Sequence, residues 1–465
     1  MNKFWLRVLS IFILFSLLLP SGSGKAQSAS TTAPIYIVQE GDSLWDIAYR
    51  FHVSQADLVN ANGIVNTDQI TVGQQLVIPG LEGIHGILTT ENVPLGENLH
   101  SLSLRYHLPV DMLKRLNHLT SPNELYVGYS FVILQDDHSP SLGKRVTLGS
   151  GQSLLELAIL NNTNPWTILA DNQLTSPIMV LPGDVIRVPG TEDTGPGALP
   201  PTINSADISG LTQGHTAEIQ INGAAGLSMK GTLLDRPLNF FVDSDMQYYA
   251  LQGVHAMAQT GNYPLVLNGS LPDGTTFKFS QMVLVTSGGY SYEIIPNVDP
   301  ATLDPEINRQ ENELWSSISS SISPNKMWSG ILSIPVQPGL AECYSSQFGN
   351  RRSYNGSAYS YFHTGLDFCG QIGDPIYAAA AGVVVFAGPL TVRGNATMID
   401  HGLGIFTAYM HQSEILVNVG DHVEEGQLIG RVGNTGRVEG PHLHFEVLVG
   451  GVQVNPLEWL TQVFP

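Results

Sequence analysis

Three copies of one pattern at a fixed spacing occupy the first 190 residues of this 465-residue chain. Short segments that begin with Gly41, Gly96 and Gly151 recur every 55 residues. The same spacing separates two further sets of positions, Asn62, Asn117 and Asn172, and Gly73, Gly128 and Gly183. One register held at three anchors indicates an array of similar units.

Each unit is predicted to be a small βααβ module. In the first, a strand at 36–38 leads through a glycine turn to a helix with Leu44, Ile47 and Ala48 at helical spacing. A second helix and a closing strand at 75–78 complete the module. We place the three units at 35–80, 86–135 and 143–190.

The first unit resembles the LysM domain in two stretches, which begin at Tyr36 (YIVQEGDSLWDIA) and at Val72 (VGQQLVIP). The second and third units keep the frame but lose parts of the signature, for example Tyr129 where the first unit has Gln74. The resemblance implies binding of glycans that contain N-acetylglucosamine, such as peptidoglycan or chitin, in a shallow groove. The groove residues it implies are Gly41, Asp42, Ser43, Leu44, Ile70, Thr71 and Val72. The alternative for the second and third units is that they are spacers.

The charge balance argues against nucleic acid as a partner. The chain has 20 Lys and Arg against 40 Asp and Glu, a formal net charge of −20, whereas a phosphate-binding footprint needs clustered cations. A neutral glycan needs no such cluster, because backbone hydrogen bonds and apolar contacts can hold it. Charged residues make up only 13 % of the chain, and 48 Gly and 28 Pro indicate many turns and a mainly β protein.

The N-terminus has the pattern of a secretory signal peptide at 1–26. Lys3 and Arg7 precede an apolar run at 8–19, and small residues lead to Ala26. That run is shorter than the roughly 20 residues needed to span a bilayer, so we expect cleavage and no stable membrane span afterwards. The protein is therefore expected to be secreted and associated with the cell wall, in an extracellular or periplasmic compartment.

The middle of the chain is predicted to be a linker, a sandwich and a connector. Turn-forming residues without periodicity mark the linker at 191–205. Short alternating segments, of which the last is 290–294, predict an immunoglobulin-like β-sandwich at 206–297. The connector, 298–335, is expected to hold a helix within 304–322.

Histidines crowd the C-terminal part of the chain, where six of the 14 follow residue 360. His363 precedes Asp367 across a glycine-containing turn, and His442 and His444 lie two positions apart in a predicted strand at 432–447. Two residues apart on a strand face the same side, so the two imidazoles should converge on one cleft. Three nitrogen or oxygen ligands with one open position are typical of catalytic zinc, which would leave one of the four side chains for proton transfer.

The segment 338–462 resembles the lysostaphin-type zinc metallopeptidases, which cleave peptide bonds in peptidoglycan. The resemblance rests on an ordered set of motifs, among them HTGLD from His363, YMH from Tyr409, GNTG from Gly433 and GPHLHFE from Gly440. It implies a β-rich duplicated hybrid motif fold, Zn²⁺ as the cofactor, and hydrolysis of peptide stems or cross-bridges. It further implies His363, Asp367 and His444 as zinc ligands and His411 and His442 as the catalytic pair, with the division of labour between the two left open.

We expect no catalytic role for the two cysteines or for two further histidines of the C-terminal segment. Two cysteines allow one disulfide at most, and we expect Cys343 and Cys369 to form it and to brace the ligand loop. His401 is expected in a structural turn and His422 in a solvent-facing loop.

Two alternatives to a hydrolase stay open at this stage. One is a non-catalytic peptidoglycan-binding regulator that activates a separate amidase, and the other is a LysM-based coat component. Both would bind the wall without cutting it.

Overall fold

The computed structural model describes residues 33–68, 70–135, 143–191, 193, 195–243 and 245–465. The predicted signal peptide at 1–26 lies outside these residues. The chain divides into two compact units, one up to Thr89 and one from Thr90 to Pro465. Within the described ranges, no helix is long and apolar enough to cross a membrane.

The first repeat has the predicted βααβ order. Its strand Ile35–Ile37 pairs antiparallel with Gln75–Val77, and the helices between them are Leu44–Arg50 and Gln55–Asn62. The Ser43 side chain caps the first helix by accepting a hydrogen bond from the backbone N–H of Asp46. The apolar face of the helices packs on the closing strand, so the module has a small core of its own, formed by Leu44, Ile47, Leu58 and Leu76.

The second and third repeats have the same construction. The periodic asparagine ties the second helix to the closing strand of its own unit: Asn117 donates to the carbonyls of Leu113 and Val132 and accepts from the N–H of Val132. Asn172 ties its helix to the closing strand in the same way. The helices of these repeats are Leu99–Tyr106, Val110–Leu116, Leu154–Leu160 and Pro165–Asp171, with 3-10 turns at Pro122–Glu124 and Pro177–Met179 and strands at Ile87–Asn92, Tyr126–Val127, Ser130–Leu134, Lys144–Thr147 and Val185–Val188.

A sandwich of two antiparallel sheets follows. One sheet has the spatial order Phe241–Val242, Gln247–Gly253, Thr216–Gly223 and Ile203–Ser209. The other has the order Arg236–Asn239, Ser228–Leu233, Gly261–Ser270 and Thr276–Val285, and the short strand Tyr126–Val127 of the second repeat adds to its edge in parallel. The pairing of the first, second, fifth and sixth strands against the remaining four is the immunoglobulin-like arrangement that the sequence predicts.

The predicted linker is a packed segment from residue 195 onward. Its Leu199 is fully buried in the sandwich core, and the sandwich begins with a strand at Ile203, inside the range 191–205. Arg145 of the third repeat donates to the carbonyl oxygens of Pro196 and Leu199 and pairs with Asp193. Local composition was misleading here, because turn-forming residues also suit a buried irregular segment whose carbonyls a neighbour satisfies.

One predicted sandwich strand belongs elsewhere. The sequence pattern predicts 290–294 as a strand of the sandwich, but Tyr292–Ile295 pairs in parallel with Arg351–Tyr354, whose other neighbour is Tyr361–Phe362. Alternation predicts a half-buried strand without saying which sheet it joins. The connector helix runs from Pro305 to Ser319, inside the predicted range, after a 3-10 turn at Pro300–Leu303.

The C-terminal region is built on a ten-stranded sheet. Its core contains Phe368, Tyr409, Phe445 and Trp459, all essentially without solvent exposure. The predicted strand at 432–447 is two strands separated by a loop. The strands are Tyr344–Ser346, Leu366–Cys369, Pro375–Tyr377, Gly382–Leu390, Gly394–Asp400, Ile405–Ile415, His422–Val423, Leu428–Val432, His442–Val449 and Val452–Val454, with a 3-10 turn at Pro338–Leu340 and a last helix at Pro456–Thr461.

Candidate metal centre

Three side chains from two adjacent strands and the turn before them converge on one point. Strand Leu366–Cys369 pairs antiparallel with His442–Val449 so that Asp367 lies directly opposite His444. Asp367 Oδ1 is 2.7 Å from His444 Nδ1 and 3.0 Å from His363 Nε2. The two imidazole nitrogens are 3.0 Å apart, and all three side chains are buried. The predicted ligands are therefore brought together.

A glycine permits this close approach. A Cβ atom at Gly365 would lie 2.3 Å from the carbonyl oxygen of Phe445 and 2.8 Å from His444 Nε2. The turn between His363 and Asp367 can therefore lie against the neighbouring strand only without a side chain at this position.

The donor set fits zinc. Two imidazoles and a carboxylate are the ligand types of catalytic zinc sites, and zinc bonds of 2.0–2.2 Å place tetrahedral ligands about 3.3–3.5 Å apart, slightly wider than these atoms. Each of the two imidazole ligands also has an outer partner that orients it. His363 Nδ1 lies 2.8 Å from the carbonyl of Gln347, and His444 Nε2 lies 3.3 Å from Glu446 Oε1. Such outer contacts fix which nitrogen faces the metal.

The charges of the ligands are strongly coupled. Burial opposes ionisation of Asp367, but His363 and His444 outweigh it and hold the pKa of this carboxyl well below its usual range. Burial alone would lower the pKa of His444, whereas Asp367 and Glu446 raise it to about 9. His444 would have to lose the proton on Nδ1 to hold a metal ion through that nitrogen, so binding would release a proton.

The two predicted catalytic histidines flank the ligands. The rings of His411 and His442 are 5.0 Å apart, and His442 Nε2 is 3.6 Å from Asp367 Oδ1. Each Nδ1–H has a backbone carbonyl 2.8 Å away, that of Thr435 for His411 and that of Gly440 for His442. An imidazole that donates through Nδ1 has Nε2 as its acceptor when the ring is neutral. Burial, with His442 and His444 nearby, holds the pKa of His411 well below its usual value, so the ring is neutral.

The five side chains line a cleft of about 1180 Å³ whose walls extend beyond the C-terminal sheet. His255 and Met257 contribute from the sandwich, and the stretch 293–299 contributes from the segment that follows it. The cleft is large enough for a peptide and has polar groups concentrated at one place, as ligand sites usually do.

Most of the residues predicted to line the glycan groove of the first repeat lie at the surface, with one exception. Backbone bonds between Val38 and residues 73–74 place the loop 70–72 beside the turn that starts at Gly41. Thr71 and Val72 are exposed, as are Gly41 and Ser43, and Ile70 is half-buried. Leu44, however, is 2 % exposed, because it begins the helix and anchors the core. Its assignment to the groove surface is wrong.

Asp42 has a structural role in this turn. Its carboxylate accepts hydrogen bonds from the Tyr36 hydroxyl at 2.6 Å and the Gln39 N–H at 2.7 Å, and Arg50 pairs with it at 2.9 Å. Sequence reasoning missed Trp45 and Tyr49, whose exposed rings stack in parallel with centroids 5.5 Å apart beside the turn. Their spacing of four in a helix could have signalled a shared exposed face.

The disulfide and the other two histidines lie where the sequence predicts. Cys343 and Cys369 are bonded, with Cα atoms 5.4 Å apart, which ties the start of the region to the strand of Asp367. His401 is fully buried, with Nδ1 2.7 Å from the Ala381 carbonyl and Nε2 2.7 Å from Thr407 Oγ1. His422 is exposed.

Glu446 is the last residue of the GPHLHFE motif, but the sequence analysis predicts no role for it. It lies on the same strand face as His442 and His444, two residues further on, and its carboxylate contacts His444. The continued alternation was the signal that could have identified it.

Comparison with known proteins agrees with this geometry. Residues 361–456 match the family model described as Peptidase family M23, and 36–79, 93–133 and 146–189 match that of the LysM domain. A peptidoglycan DD-endopeptidase, ShyA, of Vibrio cholerae is 45 % identical over 114 residues, which are 24 % of this chain and 26 % of that protein. A DD-carboxypeptidase/endopeptidase, Mpg, of Neisseria meningitidis is 45 % identical over 122 residues, 26 % and 28 % of the two chains.

Among solved structures, a peptidase M23 described as putative from Pseudomonas aeruginosa is 25 % identical, covers 54 % of this chain and 96 % of its own, and has a TM-score of 0.42. The chain spans only about a quarter of the length of the curated relatives it matches. Residues 361–456 belong to peptidase family M23, and the three repeats that precede them in the chain are LysM domains.

Proposed function

We propose that this protein is a zinc endopeptidase that hydrolyses peptide stems or cross-bridges of peptidoglycan. The observation that carries the proposal is the convergence of His363, Asp367 and His444 beside two further imidazoles, at the bottom of a cleft. Both curated relatives described above carry names that include endopeptidase, and both matches fall in about a quarter of the chain.

The five side chains have complementary tasks in such a reaction. Zinc, when bound by His363, Asp367 and His444, would acidify a water molecule and polarise the scissile carbonyl. His411 and His442 present Nε2 acceptors beside the ligands, because their Nδ1 atoms are held by carbonyls. One can take the proton of the attacking water and the other, once protonated, can stabilise the oxyanion or protonate the leaving amine.

Glycan binding is assigned to the first LysM domain. Its groove turn and the loop at 70–72 are exposed, and Trp45 and Tyr49 add an exposed aromatic surface beside them. In the second domain the matching turn is engaged inside the protein: the Gly96 N–H donates to Gln281 of the sandwich, and Glu97 accepts from the N–H of Gly197. We infer that the second domain is a structural spacer and that the first holds the enzyme on glycan strands, which raises the local substrate concentration.

The proposed location follows from the proposed substrate. Peptidoglycan lies outside the cytoplasm, and the N-terminal residues have the pattern of an export signal. The proposed enzyme is therefore secreted and acts on the wall.

Digestion of purified peptidoglycan tests the proposal. The full chain, loaded with zinc, should release fragments with new amino termini that mass spectrometry can identify, and His444→Ala should release none. Release of fragments without new amino termini, or no digestion by a zinc-loaded wild type, would overturn the endopeptidase assignment. The complete set of candidate zinc ligands argues against a non-catalytic activator. A wild-type protein that binds zinc and peptidoglycan but cuts no bond would support the activator instead.

A further inference from the structure

The segment between the sandwich and the peptidase family region contacts the outer partners of the metal centre at three places. This segment, 292–319, comprises the strand Tyr292–Ile295 and the helix Pro305–Ser319, and it ends well before residue 361, where the family match begins. A connector that merely spaces two domains would not need buried polar contacts with the catalytic site, since each such contact requires a matched partner.

The first contact supports a zinc ligand. Trp315 is 1 % exposed, and its indole N–H donates to Glu446 Oε2 at 3.0 Å. The other oxygen of Glu446 is 3.3 Å from His444 Nε2. Because Trp315 holds one carboxylate oxygen, the second is directed at the ligand ring and keeps Nδ1 of that ring facing the metal position.

The second contact supports a catalytic histidine. Glu311 is buried, and its carboxylate accepts hydrogen bonds from the backbone N–H of Val392 at 2.8 Å and of Arg393 at 3.3 Å. The carbonyl of Arg393 in turn accepts from the N–H of His411 at 3.1 Å. His411 has a positive φ of 61°, which an ordinary side chain adopts only when its surroundings enforce it.

The third contact reaches the carboxylate ligand. Glu293 accepts from Arg352 Nε at 3.3 Å, and Nη2 of the same guanidinium is 3.8 Å from Asp367 Oδ2. The parallel pairing of Tyr292–Ile295 with Arg351–Tyr354 places Glu293 beside Arg352. The oxygen of Asp367 that is not directed at the ligand histidines therefore has its own cationic neighbour.

We propose that the segment 292–319 positions side chains of the metal centre: Trp315 positions His444, and Glu311 positions His411. The catalytic unit then begins near residue 292, not at 361. The inference builds on the proposed function, but zinc affinity measures it even if the substrate differs from the one proposed.

Replacement of one buried tryptophan, with a second as control, tests the first contact. Trp315→Phe keeps the packing and removes the N–H that holds Glu446. Trp328→Phe removes the same atoms from the peptidase core, but Trp328 Nε1 is buried with no hydrogen-bond partner among the described residues. In the full-length protein, chelator competition should give a zinc dissociation constant about 10-fold higher for Trp315→Phe and within about 2-fold of wild type for Trp328→Phe.

Glu311→Gln tests the second contact and separates it from the first. Glu313 lies on the same helix with its carboxylate exposed and paired to Arg309, so Glu313→Gln is the control. Because Glu311 acts through a histidine that is not a zinc ligand, Glu311→Gln should lower kcat about 10-fold with KM and zinc affinity within about 2-fold of wild type. Glu313→Gln should change none of the three.

Two results would overturn the inference. One is equal zinc affinity of Trp315→Phe and Trp328→Phe, measured below the melting temperature of both. The other is a Glu311→Gln enzyme with the kcat of Glu313→Gln. If the zinc-loaded wild type fails to cut peptidoglycan, the proposed function fails, whereas the affinity difference between the two tryptophan variants still decides the role of Trp315.

Discussion

The metal centre and the turn at Gly41 of the first LysM domain, to which we assign glycan binding, hold their side chains in opposite ways. In the metal centre, His363, Asp367 and His444 are buried, and each has a second neighbour that fixes its orientation. In the LysM turn, Thr71 and Val72 lie exposed at the surface. The difference shows how strongly each site depends on single residues. A buried metal site requires every one of its side chains, whereas an exposed groove divides its binding energy among many weak contacts.

Removal of a proposed zinc ligand should have the largest effect. His444→Ala deletes one of three ligand atoms and leaves Asp367 without its 2.7 Å partner, so metal binding should fail. Metal-assisted activation is worth several kcal/mol of transition-state stabilisation, so the rate of peptidoglycan hydrolysis should fall by about 10³-fold or more. Metal content and fragment release measure the two effects. The exposed His422 supplies the control, since His422→Ala should match wild type, and an active His444→Ala enzyme would contradict the ligand assignment.

Removal of either proposed catalytic histidine should separate catalysis from metal binding. His411→Ala and His442→Ala each delete a proton-transfer group, which contributes about 10² to 10⁴ in rate, but leave the three ligand atoms in place. Zinc content should therefore stay at the wild-type level while kcat falls within that range. If both variants lost their metal, the two residues would have to be counted as ligands and the division into three ligands and two catalytic groups would be wrong.

Burial should also make the peptidase region sensitive to acid. The pKa of His401 is lowered from 6.5 to about 4 by burial, so the unfolded chain takes up a proton that the folded protein excludes. The neutral ring therefore stabilises the fold above about pH 6.5, and this contribution of about 3 kcal/mol is lost as the pH falls towards 4.

Denaturant unfolding of wild type and His401→Gln between pH 7 and 4 checks this effect. The difference in free energy of unfolding between the two proteins should shrink by about 3 kcal/mol over that range, since glutamine does not titrate. A constant difference for His401→Gln would mean that His401 keeps an ordinary pKa in the folded protein.

The same contrast explains what the sequence could predict. The convergence of His363, Asp367, His442 and His444 was predictable because two short motifs place them by strand alternation and by one turn, and both rules are local. The position of His411 beside them followed only from the resemblance to a known family. The roles of Trp315 and Glu311 were not predictable, because they depend on a helix that packs against a sheet more than 70 residues further along the chain. Alternation likewise predicted the strand Tyr292–Ile295 but not its partner, since pairing is decided by tertiary contacts.

The smallest expected effect compares one position in two LysM domains. Val72 is 68 % exposed on the loop of the first, and the repeat places Val127 at the same position in the second, where it pairs with Val283 of the sandwich. Val72→Asp should weaken sedimentation with insoluble peptidoglycan about 3- to 10-fold, or about 1 kcal/mol, without changing the melting temperature. Val127→Asp should leave glycan affinity unchanged but lower the melting temperature, because a charge enters a packed edge. Equal loss of binding in both variants would show that the second domain also binds glycan. The distinction between an exposed groove in the first domain and a groove covered by the sandwich in the second would then be wrong.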